Sequence, residues 1–273
     1  LYDVLYEGAT ADATEDDMRM CSDDAIGPVS PFTTWFGAGF GGDEWNDYWD
    51  ERYHLQDVLD NYNGSVYIVW GMQDWNVDPY HAFPTHQLLQ NKGINVRTIA
   101  GQWAHNYPDQ PDRHSEVTSG FGAEAYPNMT RFDWAVELFP WFEYYLKGVG
   151  EEPASYVQMQ RNDGQWHIEE TWPPEDIEPI LSSGDASFWV TNWNSPPSIG
   201  MTFEISGPMH ISGLPTLHVD VRTGACNGGQ LFVEMSDAET GLRLGHATMD
   251  VRYRDGGYDA KPTSSFTEYR MLM

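Results

Sequence analysis

The chain has 273 residues, 40% hydrophobic and 14% aromatic, enough for more than one packed core. Forty-two acidic side chains against 14 basic ones leave a net charge of -28, which argues against nucleic acid or an anionic membrane surface as a partner. No apolar run is long enough to span a membrane, and no HExxH, EF-hand loop or CxxC is present, so neither a metal nor a cofactor is expected.

Residues 1 to about 60 read as helix and loop. "TADATEDDMRMCSDDAIGPVSP" is acidic and is broken by Gly27, Pro28 and Pro31. A glycine-rich lead-in follows, then a helix-like run that closes near Gly64. Gly37, Gly39, Gly41 and Gly42 look like a phosphate loop only on the surface. No strand leads in and no Lys-Ser/Thr pair follows, so a plain loop is the better reading.

Residues 65 to 147 read as β-α-β-α. "SVYIVWG" is continuously apolar, as a parallel strand buried on both faces must be. "PYHAFPTHQLLQNKG" is a helix closed by Gly93, and "INVRTIAG" is the next strand. "RFDWAVELFPWFEYYLKGVG" is an amphipathic helix ending at Gly148, with Pro140 as a possible kink. This alternation predicts a βαβ crossover in an α/β sheet.

After Gly150 the pattern becomes short strands with turns between them. "EEPASYVQMQRNDGQWHIEETWPPED" carries an Asp-Gly turn and a Pro pair. "ASFWVTN", "MTFEIS", "PTLHVDVRTG", "GQLFVEMSD" and "LRLGHATMDVRYR" then alternate, which predicts an antiparallel β-sandwich. The boundary is expected at 148 to 155. Cys21 and Cys226 imply no disulfide framework.

The candidate chemistry lies in two loops. Asp74 follows the strand "VYIVWG" and His105 follows "VRTIAGQW". Reactive groups of an open α/β sheet gather at the carboxyl ends of its strands, so neighbouring parallel strands would bring both side chains to one rim. There a carboxylate can orient an imidazole and stabilise its protonated form. Acid and then His, one βα unit later, is the chain order of α/β-hydrolases. His81, His86 and His114 are rivals for the base. The first two belong to the helix directly after Asp74, too local for a cross-strand pair.

The segment from Tyr48 to Val77 and the segment from Leu88 to His105 resemble the Xaa-Pro dipeptidyl-peptidase/cocaine-esterase family of serine hydrolases. The resemblance is carried by Trp49 with Arg52, by Gly71-Met72-Gln73-Asp74-Trp75-Asn76-Val77, and by Gly101-Gln102-Trp103-Ala104-His105. "WPPED" and "MHISGLPTLHVDVRTGACNGGQLFVEMSD" are similar to the entry and body of that family's jelly-roll domain. The resemblance implies the end of a helical cap over 1–58, the C-terminal part of an α/β-hydrolase domain over 59–150, and a jelly-roll sandwich over 151–273, cut at its C-terminus. It implies Asp74 and His105 as catalytic residues. Trp75 and Trp103 beside them are weaker candidates for lining a substrate pocket.

The family's nucleophile is a Ser on a G-x-S-x-G elbow upstream of the acid, and no such motif occurs in this sequence. Ser30 is followed by Pro, while Ser119, Ser206 and Ser212 come after the acid in plain turn contexts. The nucleophile and its oxyanion-hole donors are therefore expected before Leu1, and the chain alone is expected to be inactive. The implied reaction is acyl transfer on a small peptide, with an ester or amide of the same class as the alternative. A carbohydrate-binding jelly roll is the alternative from another class, with Trp189 and Trp193 as its aromatics.

The acids are spread along the whole chain, which suits a solubilising, salt-tolerant surface. Self-repulsion is screened as the Debye length falls from about 10 Å at 0.1 M to about 3 Å at 1 M salt. The unfolding midpoint is expected to rise with KCl over that range. A flat or falling midpoint in a thermal melt would mean that the acids are paired locally.

Overall fold

The computed structural model describes residues 50–51, 53–74, 77, 79, 82–105, 108–109, 131–175, 178–184, 198–205, 207, 211–222, 230–241, 243–255, 261 and 265–272. Helix α1 (Leu55–Asn61) leads into strand β1 (Val66–Gly71), helix α2 (Ala82–Asn91), strand β2 (Val96–Gly101) and helix α3 (Trp134–Lys147). Strands β3 (Tyr156–Gln160), β4 (Trp166–Glu169), β5 (Thr216–Val221), β6 (Gln230–Ser236) and β7 (Arg243–Asp250) follow, then a short 3₁₀ turn (Val251–Tyr253) and β8 (Thr267–Leu272).

The alternation expected from 65 to 147 is present and builds a mixed α/β sheet in the order β1-β2-β3-β4. β1 and β2 run parallel, with Val66 opposite Val96 and Gly71 opposite Gly101. Side chains alternate across the sheet, so the two faces can be read from the register. Val66, Ile68, Val96 and Ala100 face α2, where Leu89 and Phe83 complete the packing. Tyr67, Val69 and Ile99 face the other way, and the Tyr67 ring meets Trp141 of α3 edge-on at 5.3 Å. A helix on each face explains why β1 is apolar throughout and why β2 puts Val96, Ile99 and Ala100 into the core. Arg97 lies among Tyr67, Trp141 and Tyr156, 4.3 Å from the last ring, and donates to the Ala154 carbonyl. Val136, Phe139 and Leu146 form the outer, exposed side of α3.

The glycine-rich break at 148 to 150 does not end this sheet. Gly148 has φ 67 and closes α3, its N–H bonding to the Tyr144 carbonyl at 2.8 Å, while Val149 N–H reaches Glu143. The break is a helix terminator, and β3 then returns parallel to β2. β4 folds back antiparallel through a turn containing Gly164, whose φ is 81. These two strands, grouped by their alternation with the later ones, belong to the first sheet.

Farther along the chain, β5 pairs with β8 and β6 with β7, each antiparallel. Among the described residues these are two small two-stranded sheets and not a closed barrel or a large sandwich. β6 shows the expected alternation, with Leu231, Val233 and Met235 half-buried and Phe232 and Glu234 exposed. Tyr269 of β8 is fully buried and donates to the Val251 carbonyl at 2.7 Å. "MTFEIS" alternates like a strand, but Met201–Ile205 joins no ladder, and Met201, Phe203 and Ile205 are all exposed. "ASFWVTN" and residues 1–49 lie outside the described residues.

His86 of α2 is fully buried, with Nδ1 2.8 Å from the Thr98 hydroxyl of β2. Burial pushes its pKa down from 6.5 to about 4. The unfolded chain takes up this proton first. The contribution is therefore intact above pH 6.5 and is lost as pH falls toward 4, by about 3 kcal/mol in all. A His86→Gln chain should show a flatter dependence of unfolding midpoint on pH over this interval. Parallel curves for the two chains would contradict the assignment.

Candidate active site

β1 and β2 end on facing glycines, and both are needed where they stand. A Cβ on Gly71 would lie 2.5 Å from the Trp103 carbonyl oxygen and 2.6 Å from that of Ala104. Only glycine lets the loop after β2 come this close. A Cβ on Gly101 would lie 2.5 Å from the indole of Trp103, which folds back over it. The two loops are then stitched together. Met72 N–H donates to the Gly101 carbonyl at 2.7 Å, and Gln73 N–H to the Trp103 carbonyl at 2.9 Å.

This stitching places Asp74 beside His105. Asp74 N–H bonds back to the Gly71 carbonyl at 3.2 Å, and Oδ1 accepts the Val77 N–H at 3.0 Å. The other oxygen, Oδ2, lies 2.9 Å from His105 Nδ1. An ionised carboxylate only accepts, so Nδ1 carries the proton and Nε2 of the neutral ring keeps its lone pair. The Asp74 side chain is 10% exposed and that of His105 53%, so the acid is enclosed and the imidazole is open to solvent. Nε2 has no hydrogen-bond partner among the described residues. A half-exposed imidazole with a fixed tautomer, backed by an enclosed carboxylate, can take a proton from a group placed at Nε2.

The other candidates fall elsewhere. Trp103 has no exposed surface and packs against Ile99 and Ala104, with Trp166 of β4 at 5.7 Å. It fills the core under the His loop and shows no surface there. Trp75, Trp49, Arg52 and Asn76 lie outside the described residues, as do His81 and His114. His86 is in the core on the α2 face, away from the rim. Among the described residues no group of three or more His, Cys, Asp or Glu could hold a metal ion, and no helix is long and apolar enough to cross a membrane.

Sequence reasoning missed Gln102 and Gln160. Gln102 N–H donates to Gln160 Oε1, and Gln102 Nε2 donates to the Gln160 carbonyl, both at 3.1 Å. Nothing local marks either residue. The signal appears only once β3 is known to run parallel to β2, which brings the end of β3 beside the start of the His loop.

The chain is distantly related to Xaa-Pro dipeptidyl-peptidase-like proteins. It is 26% identical over 137 residues to a Bacillus anthracis protein provisionally named an Xaa-Pro dipeptidyl-peptidase, covering 50% of this chain and 19% of that protein. A Bacillus cereus protein of the same provisional name is 26% identical over 148 residues, covering 51% of this chain and 21% of its own length. An Xaa-Pro dipeptidyl-peptidase of Ligilactobacillus salivarius is 22% identical over 147 residues, covering 52% of this chain and 16% of that protein. The matched part thus spans about a fifth of the relatives' own length. No family model matches the chain. No solved structure matches it either.

Proposed function

We propose that this chain carries the acid and the general base of a serine hydrolase of the Xaa-Pro dipeptidyl-peptidase type, acting by acyl transfer. The observation that carries the reading is the 2.9 Å contact between Asp74 Oδ2 and His105 Nδ1 at the ends of two adjacent parallel strands. The names of the related proteins point to the same chemistry. In the proposed reaction a serine hydroxyl lies at His105 Nε2. His105 takes its proton during attack on the substrate carbonyl and returns it to the leaving amine, while Asp74 keeps the ring oriented and stabilises the imidazolium. The sequence holds no G-x-S-x-G elbow, so the reading assigns the nucleophile to polypeptide other than these 273 residues. Under the same reading the four-stranded sheet is the C-terminal part of an α/β-hydrolase sheet. The strands from Thr216 onward belong to a β-rich unit of jelly-roll type beside it.

The test is a substrate panel on the gene product that carries this segment together with its nucleophile. Xaa-Pro amides are expected to be cleaved with release of the N-terminal dipeptide. Cleavage of short-chain esters alone would make the protein an esterase of the same mechanism. Binding of polysaccharide with no hydrolysis of either class would overturn the hydrolase reading.

A further inference from the structure

The bond to Asp74 fixes which nitrogen of His105 carries the proton, but it does not by itself aim a ring that is half exposed. Aim depends on the backbone of residues 102 to 105. On the β1 side that backbone is held by Gln73 N–H at the Trp103 carbonyl. On the other side the parallel ladder between β2 and β3 runs from Arg97 opposite Tyr156 to Ala100 opposite Met159, and there it stops. The Gln102–Gln160 pair extends it by one further step. The Gln160 side chain accepts the backbone N–H of Gln102, and the Gln102 side chain donates to the backbone carbonyl of Gln160. Gln102 is 7% exposed and Gln160 2%, so water does not replace these bonds if they are lost.

We infer that Gln160 is a positioning residue for His105, acting through Gln102; the inference rests on the acid–base reading of Asp74 and His105. Gln160 is 58 residues from the loop it holds and on another strand, so the base is clamped between β1 and β3. Removing the side-chain oxygen leaves the Gln102 N–H buried without an acceptor. The loop relieves this by moving toward water, and the ring follows. Oriented sites depend on such supporting contacts, since a shift of about 1 Å can cost roughly 10²-fold in rate.

The experiment reads the tautomer of His105 in the 273-residue chain by proton–nitrogen correlation spectra, with the ring assigned from its loss in His105→Gln. In the wild-type chain the neutral ring should be mostly the Nδ1–H form. In Gln160→Met the ratio of Nδ1–H to Nε2–H forms should fall by about tenfold. Gln102→Met removes only the reciprocal bond and should lower the ratio by less, which keeps the test open if Gln160→Met does not fold. Val157→Ala, on the same strand, should lower the unfolding midpoint and leave the ratio unchanged. An unchanged ratio in the Gln160→Met and Gln102→Met chains overturns the inference, as does an equal shift in Val157→Ala. A wild-type ring without the Nδ1–H preference overturns the acid–base reading itself, and the inference with it.

Discussion

If His105 is the proposed general base, replacing it by Ala should lower turnover by the gene product about 10⁴-fold or more while leaving its fold intact. The imidazole is half exposed and its side-chain bond is to Asp74, so little packing is lost with it. What is lost is the only base that this rim brings against a carboxylate among the described residues. Asp74→Asn should also be severe, because the side chain can then present a donor toward Nδ1 and favour the wrong tautomer. The fold should be kept, since the amide Oδ1 can still accept the Val77 N–H. His81→Ala, His86→Ala and His114→Ala separate base from bystander. All three should keep most activity on both an Xaa-Pro amide and a short-chain ester, with His86→Ala reducing stability through the cavity it leaves. An inactive His114→Ala beside an active His105→Ala would move the base to another loop.

The second large effect is expected at Gly71. An added methyl would stand 2.5 Å from one backbone oxygen and 2.6 Å from the next, and neither is the end of a flexible side chain. Relief requires the two loops to separate, which breaks the Gln73 N–H bond to Trp103 and draws Asp74 away from His105. Gly71→Ala should therefore cost about 1–3 kcal/mol of stability, as overpacking does, and roughly 10²-fold or more in turnover through misplacement of the pair. Gly200→Ala is the control, because a Cβ there meets nothing within 4 Å. Equal unfolding midpoints and equal rates for the two variants would contradict the close approach of the loops.

Much of the first sheet was legible because burial on both faces leaves a plain trace. "VYIVWG" can be apolar throughout only if both sides are covered, and α2 and α3 cover them. The Asp74–His105 pair was legible from topology, since parallel neighbours put the loops after their strands on one rim. The membership of β3 and β4 was not. "YVQMQ" and "WHIE" carry the alternation of half-exposed strands, and no local feature says which edge they join. The Gly-Val-Gly break was ambiguous because a helix terminator and a domain linker share a composition, and here it closes α3. The place of Trp103 was not legible for a related reason. A Trp two residues before the candidate base reads as a pocket wall, and only the structure shows Gly101 letting the indole fold back into the core. The alternating apolar residues of Met201–Ile205 stand exposed, showing that period-two patterning is necessary for a half-buried strand and not sufficient for one.

The most direct test of the acid–base assignment is fluorophosphonate labelling of the gene product, with the adduct mapped by mass spectrometry. One stoichiometric adduct is expected, on a serine outside these 273 residues, and it should be lost in His105→Ala. The 273-residue chain alone should take no stoichiometric label. A stoichiometric adduct on any serine within the folded chain, or labelling that survives His105→Ala at the wild-type rate, would contradict the assignment.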